Sequence, residues 1–485
     1  MKWISLFLLL SCSIPVRALD EAPNIVLVMA DDQGWGDMAY QGHPRVKTPN
    51  FDALAKEGLR FDEFHAAASV CSPTRGSVLT GRNPNRFGCF SWGHALRPQE
   101  TTVAEALKTA GYATGHFGKW HVGSVQKASP VCPGESGFDE WVSSPNFFDL
   151  DPILSVRGRA EAFKGDSSDI TVDEALKFIR RCAEKQQHFL AVVWFGSPHS
   201  PHQAVAADKE PYADLPAELQ NFYGEITAMD RAFGRLRREI GELGLRDNTL
   251  LWYCSDNGAL PKVGSTGGRR GYKGQIYEGG LAVPALLEWP AMFSDPKVIK
   301  IPCVTSDIYP TVLAAAGVTA KDQPPLDGIN LLPLLVSSEP RRPKPIGFWN
   351  AQLKSAATVK GISTPSKQWM EELLAAQRHG EEPTHPARVL PDAGRIAEKF
   401  PANEFSGHAA WLDWPWKLHR LENRKTHEVS WELYHLGRDP GETTVLLAEQ
   451  PERVPEMQKA LEDWLESVVC SLNGEDYAPP SHEKK

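Results

Sequence analysis

Two groups of residues in this sequence could do chemistry. Asp31-Asp32 and Asp256-Asn257 together offer three carboxylates and an amide oxygen, an all-oxygen set suited to a hard divalent cation such as calcium. Taken singly each has a plainer reading, since an acidic pair can end a strand and Asn257-Gly258 is a common hairpin turn. The second group is Cys71-Ser72-Pro73-Thr74-Arg75, followed by Leu79-Thr80-Gly81-Arg82. With Ser72 as N-cap and Pro73 at the first helical position, Cys71 stands just ahead of a helix amino terminus, where free N–H groups and the helix dipole favour an anion. Arg75 then points a fixed positive fork toward the same place. For a lone cysteine the commoner arrangement is a partly buried thiol beside a capped helix.

The elements that must bring these residues together are strands alternating with helices, the mark of an α/β sheet. Residues 24–30, 189–195 and 249–254 are apolar runs of strand length and read as buried central strands. The first runs into Asp31-Asp32, the second into Pro198-His199-Ser200-Pro201-His202, and the third into Ser255-Asp256-Asn257-Gly258. Parallel strands deliver their carboxyl ends to the ligand-binding edge of an open α/β sheet, so these polar residues converge. Between them, Thr48-Pro49 opens a helix that Gly58 closes, and Thr102 with Glu105 forms a capping box. A long helix from about 218 to 243 carries an apolar face from Phe222 to Leu243. Residues 339–345, rich in proline and arginine, read as a linker between a large domain over 19–340 and a C-terminal subdomain over 341–485. That subdomain is expected to be a small α+β unit. It would hold an irregular insertion at about 354–405, strands at 411–418 and 431–436, and a terminal amphipathic helix near 451–469.

The 485 residues carry 52 basic and 61 acidic side chains, a net charge of −9. Such a field does not attract nucleic acid, and an anionic substrate must be held by a local cluster of cations. Residues 1–18 read as a secretory signal peptide ending at Ala18, which predicts a secreted or periplasmic protein. The second choice is a lipobox at Leu9-Leu10-Ser11-Cys12, leaving a lipid anchor on Cys12. No transmembrane segment is expected. The eight cysteines show no zinc-ligand spacing, and export would permit disulfides whose connectivity the spacing does not give.

Cys71-x-Pro73-x-Arg75 with Leu79-Thr80-Gly81-Arg82 resembles the signature of the formylglycine-dependent sulfatases, within the alkaline phosphatase superfamily. The resemblance covers essentially the whole chain after the signal peptide. It implies an alkaline phosphatase-like sandwich, with a large mainly parallel sheet flanked by helices and a smaller C-terminal domain. It also implies that Cys71 is oxidised by a formylglycine-generating enzyme, and that the aldehyde hydrate supplies the nucleophile. Asp31, Asp32, Asp256 and Asn257 match the ligands of one calcium ion, which would also hold the modified Cys71. Gly118-Lys119-Trp120-His121 matches a family motif in which Lys119 neutralises sulfate oxygens and His121 orients the diol and takes its proton. His199, in Pro198-His199-x-Pro201-His202, and Lys273, in Gly271-Tyr272-Lys273-Gly274, would stabilise or protonate the leaving oxygen.

The stretch Phe138-Asp139-Glu140-Trp141 with Ser144-Pro145-Asn146 is similar to the group containing the N-acetylgalactosamine-6-sulfatases, which favours a sulfated carbohydrate as substrate. The insertion at 354–405 and the loop Asn85–Pro98, with Phe87, Phe90, Trp92, His94 and Arg97, could shape the sugar pocket or pack against the second domain. Two other readings stay open. One is a phosphodiesterase or phosphonate hydrolase of the same superfamily, and the other is a non-catalytic binder of sulfated glycans whose Cys71 is never modified.

Overall fold

A computed structural model describes residues 22–351, 353, 366–396 and 399–477. The expected signal peptide, the Cys12 lipobox and residues 354–365 of the expected insertion lie outside the described residues. In chain order the strands are β1 (Asn24–Ala30), β2 (Leu59–Phe61), β3 (Phe64–His65), β4 (Ala113–Lys119), β5 (Glu140–Ser144), β6 (Ile153–Val156), β7 (Arg159–Ala162) and β8 (Phe189–Trp194). There follow β9 (Thr249–Ser255), β10 (Ala285–Glu288), β11 (Lys297–Ile299), β12 (Cys303–Val304), β13 (Ile346–Ala351), β14 (Gly407–Asp413), β15 (Trp416–Glu422) and β16 (Val429–His435). Ten of them form one sheet in the order β11-β2-β10-β9-β1-β8-β4-β5-β6-β7, and β13 to β16 form an antiparallel sheet in chain order.

The centre of the large sheet is parallel, β9, β1, β8, β4 and β5 all running the same way. β1, β8 and β9 read as apolar runs because both faces are covered, whereas β4, with Thr114, His116 and Lys119, is buried without being one. Ile25, Leu27 and Met29 of β1 enter one core, and Val26, Val28 and Ala30 enter the other, as a side-chain period of two requires. Helices Pro49–Glu57 and Val103–Lys108 form where expected, the latter with both hydrogen bonds of the Thr102–Glu105 capping box. The long helix spans Ala217–Glu242. Its Met229, Phe233, Leu236 and Ile240 pack on the sheet, whereas Phe222 and Ile226 meet Val46, Tyr212 and Val263 in a separate cluster. Among the described residues no helix is long and apolar enough to cross a membrane, and the seven described cysteines are free thiols.

Three expectations change. Residues 411–418 are not one strand: the chain reverses at Trp414-Pro415 between β14 and β15, which pair from Asp413–Trp416 outward. Proline cannot donate to a ladder, so it sits at the turn. The insertion is not irregular throughout, because Ser366–Arg378 is helical and seats Met370 and Leu373 in the main core. Near its end, the Gln377 side chain accepts from the Ala160 N–H of β7 at 2.8 Å and donates to the Gly158 carbonyl at 2.9 Å. Helix Cys71–Thr80 begins at Cys71 with Val70 as its N-cap. Ser72 is inside the helix, its hydroxyl accepting from the Gly93 N–H at 2.8 Å. Pro73 is harmless there because the first-turn N–H groups have no helical partner in any case.

The two sheets are joined through the terminal helix Arg453–Leu472. Arg86 binds Asp327 with Nε at 2.7 Å and a second nitrogen at 2.9 Å, and its third nitrogen donates to the Ser467 carbonyl and the Ser471 hydroxyl. Asp327 also accepts from the Trp464 indole at 3.1 Å. Burial works against this carboxylate's charge, but Arg86, the Asn83 N–H and the Lys344 charge hold it at about 2. Removing one partner of such a pair costs roughly 3–5 kcal/mol, so Asp327→Ala should lower the thermal midpoint clearly. A melting curve superimposable on that of the unaltered protein would show that the junction does not depend on this pair.

Candidate active site

The carboxyl ends of β1, β4 and β9 bring the expected residues to one edge. Asp31 and Asp32 continue β1, Lys119 ends β4, and Asp256 and Asn257 follow β9. The register is tight: a Cβ on Gly118 would lie 1.8 Å from the Trp194 carbonyl, so only glycine lets β4 deliver Lys119 beside β8. Asp32 and His121 adopt left-handed backbone conformations, with φ of 70° and 56°. Such conformations persist where the surroundings over-determine them, commonly at functional sites.

The charges interlock. Lys119 donates to Asp31 at 2.6 Å. Arg75 places two nitrogens on one oxygen of Asp256, at 2.7 and 3.1 Å, and lies 3.6 Å from Asp31. The other oxygen of Asp256 accepts from the Asp32 N–H at 3.0 Å. Lys273 meets both oxygens of Asp32, at 2.6 and 2.7 Å, and Asn257 donates to Asp32 at 2.9 Å. The Cys71 thiol lies 3.9 Å from Asp32. Asp31, Asp32, Cys71 and His199 offer ligand atoms all within 4.8 Å of one another. Asp256 stands outside that group, its oxygens accepting from Arg75 and the Asp32 N–H.

Burial dominates the proton equilibria. It pushes Asp31 up to about 7, against the pull of Lys119 and with the help of Asp256 and Asp32. It opposes the charge on Asp32 too, but Lys273 and then His199 hold that carboxyl well below its ordinary range. Burial raises the Cys71 thiol far above its usual value in spite of Lys119 and Lys273. His121 is driven well down by burial, then by Lys119 and Arg75, so its imidazole is neutral. Both its ring nitrogens are buried without a hydrogen-bond partner, as are Asp31 Oδ1 and Asn257 Oδ1. His199 falls to about 3 through burial, with Lys119 adding and Asp32 opposing. Its Nδ1 lies 2.6 Å from the Ser200 carbonyl, which fixes the proton on Nδ1 and turns Nε2 toward Asp32 at 3.5 Å. Phe147 stacks on the His199 ring, centroids 4.5 Å apart.

The loop 85–98 divides. Phe87, Phe90, His94 and Arg97 are buried, and Arg97 donates to the Leu472 carbonyl of the terminal helix. Trp92 is 52% exposed, and Tyr272, next to Lys273, is 43% exposed. Arg82 is taken up by ion pairs with Glu100 and Asp476.

A buried cluster that sequence reasoning missed supports the site from behind. Glu278 receives Lys417 at 2.7 Å and His65 at 3.0 Å; Lys417 also meets Glu442 at 3.1 Å, and Glu442 meets His419 at 2.7 Å. The carbonyls of Gly279 and Gly280 accept from the Ala259 and Gly258 N–H groups, so the C-terminal sheet braces the turn that carries Asn257. The available signal was Lys417 and His419 at alternate positions of a strand, where a half-buried sheet places its inward face.

A model of the sulfatase family matches residues 23–318. The chain is 30% identical to human N-acetylgalactosamine-6-sulfatase over 519 aligned positions, covering 96% of this chain and 91% of the relative. The chain belongs to the sulfatase family. This sulfatase is a sulfuric ester hydrolase. It is also 30% identical to human arylsulfatase A, over 92% of this chain and 87% of that protein. Among solved structures, that of Ps i-CgsB in complex with k-i-k-neocarrahexaose superimposes with a TM-score of 0.74 at 22% identity, covering 94% of this chain and 98% of that one. The fold of this sulfatase is thus the expected alkaline phosphatase-like sandwich.

The bracing cluster makes a test. Lys417→Met leaves two glutamates buried without their cation, a change of several kcal/mol. It should lower both stability and sulfate release, and Lys417→Met with Glu278→Gln should recover part of each. Unchanged turnover in the single variant would separate the C-terminal sheet from the site.

Proposed function

We propose that the protein is an exported sulfatase that removes sulfate from a sulfated carbohydrate, using a formylglycine made from Cys71 and one calcium ion. The observation that carries this reading is the state of Cys71. The thiolate is the nucleophilic form of cysteine, and burial, with Asp256 and Asp31 adding to it, favours the protonated thiol at Cys71 against the pull of Lys119 and Lys273. Such a residue serves poorly as it stands and well as the precursor of an aldehyde whose hydrate attacks sulfur. A formylglycine-generating enzyme is the partner this requires.

Calcium fits the donors. Asp31, Asp32, Asp256 and Asn257 supply oxygen only, and the Asp31 and Asn257 oxygens that lack partners are the kind a hard cation satisfies. Bound there, it would polarise a sulfate oxygen and offset the carboxylates. Arg75 and Lys119 neutralise sulfate oxygens, since both are buried cations near Cys71, Arg75 on the helix that Cys71 opens and Lys119 at the end of β4. His121, neutral and unpartnered, takes up the proton that sulfate release requires. Of the two groups facing the leaving oxygen, Lys273 gives the proton: Asp32 keeps its ammonium charged, whereas His199 is neutral with Nε2 open as an acceptor. Phe147 keeps the His199 ring in place. A carbohydrate is favoured by the relatives named for N-acetylgalactosamine 6-sulfate and by the neocarrahexaose of the superimposed structure. The exposed rings of Trp92 and Tyr272, one residue from Gly93 and Lys273, suit a sugar face.

Cys71→Ala should reduce free-sulfate release from a panel of sulfated saccharides by at least about 10³-fold while the melting curve is kept, and mass spectrometry of the Cys71 peptide from the native host should find the aldehyde. An unmodified thiol in active protein would overturn the nucleophile. Dialysis against a calcium chelator should lower the thermal midpoint and the rate together, and calcium should restore both; indifference of both would remove the metal. Faster hydrolysis of phosphonate esters than of matched sulfate esters would favour the other superfamily reading.

A further inference from the structure

Away from Cys71, a cleft of about 420 Å³ opens between the edge of the large sheet and the hairpin of the C-terminal sheet. Its walls carry Lys297, Lys300, Arg341, Arg342 and Lys344, with Asp413 as the one lining carboxylate and Trp414 at one side. Arg342 is neutralised by Asp307, which it grips at 2.7 and 2.9 Å. Lys297 donates to the carbonyls of Leu335 and Ser337 and keeps its charge uncompensated, whereas Lys344 donates to the Leu326 carbonyl and is partly offset by Asp327. Lys300 and Arg341 are exposed and have no hydrogen bond or ion pair among the described residues. In a chain of net charge −9, this is a local concentration of uncompensated positive charge, which favours an anionic ligand.

The topology relates the cleft to the active site. β11 is parallel to β2, β2 and β9 are both antiparallel to β10, and β9 is parallel to β1. β11 therefore runs in the direction of β1, and Lys300 follows its carboxyl end just as Asp31 follows that of β1. The two places share one edge of the sheet, four strand spacings apart, or roughly 19 Å. β11 is also the outermost strand, so one side of its backbone is open to hydroxyl groups, and Val298 on it is exposed.

We infer that this cleft is a second binding site for a sulfated glycan chain, holding a polymer whose other part lies at Cys71. The inference rests on the carbohydrate reading of the active site. Fixed cations for sulfate groups, an indole for a sugar face and an open strand edge for hydroxyls fit a sulfated sugar better than a small inorganic anion, which would use only the charges. The spacing to Cys71 means that a short substrate cannot reach both places.

The test pairs binding with turnover. In a Cys71→Ala background, Lys300→Ser with Arg341→Ser should weaken binding of dextran sulfate at least about tenfold and flatten its salt dependence, with unsulfated dextran bound by neither protein. In the enzyme with Cys71 intact, the same pair should lower kcat/KM for a sulfated polysaccharide by a similar factor and leave that for a small aryl sulfate unchanged. Equal dextran sulfate binding with and without the two cations would overturn the inference, as would double-stranded DNA binding as tightly as dextran sulfate. Failure of the unaltered enzyme to release sulfate from any saccharide, with cleft-dependent binding retained, would instead sink the carbohydrate reading and leave the cleft standing as a polyanion site.

Discussion

The structure turns on holding three carboxylates, Asp31, Asp32 and Asp256, out of water in one place. Burying even one ionised carboxylate is prohibitive without compensation. Here each has its own cation, Lys119, Lys273 and Arg75 respectively, and those cations come from three separate stretches of chain. The parallel centre of the sheet exists, in this sense, to make the meeting possible: only strands that end at a common edge can bring residues 31, 119 and 256 within hydrogen-bonding distance of the same partners. The compensation is incomplete, since Asp31 is pushed up to about 7 and two oxygens and an imidazole have nothing to bond. A site left short of positive charge and of hydrogen-bond partners is one that the proposed calcium ion would complete.

The C-terminal sheet takes part in this arrangement although, among the described residues, none of its side chains hydrogen-bonds Cys71. Lys417 and His419 neutralise Glu278 and Glu442 at the junction, and the glycines after Glu278 approach Gly258 so closely that a Cβ there would lie 2.2 Å from the Gly279 carbonyl. The turn bearing Asn257 is thus fixed from outside the large sheet. Inference from the active-site residues alone would have treated residues beyond 340 as accessory.

Most of the site was legible because its signals are local. Apolar runs followed at once by acidic or histidine residues mark strand ends, and the helix after Cys71 carries its own composition cues. What escaped was either a competition between local rules or a contact distant in sequence. Ser72 looked like an N-cap, yet Gly93 claims its hydroxyl; Trp411 to Leu418 has strand composition, yet Pro415 must turn. The pairing of Glu278 with Lys417 spans 139 residues, and no periodicity in either segment announces the other. The loop 85–98 shows the same limit, since its aromatic residues look alike in sequence and only packing sorts the buried Phe87 and Phe90 from the exposed Trp92.

The helix Ser366–Arg378 covers one margin of the large sheet. β7 is the last strand of a ten-stranded sheet, and a bare margin of that kind invites another chain to add itself. The carboxamide of Gln377 occupies the Ala160 N–H and the Gly158 carbonyl in the way an incoming peptide would. The inserted segment thus fills backbone groups by which a further strand would join this margin, and it does so while lending Met370 and Leu373 to the main core.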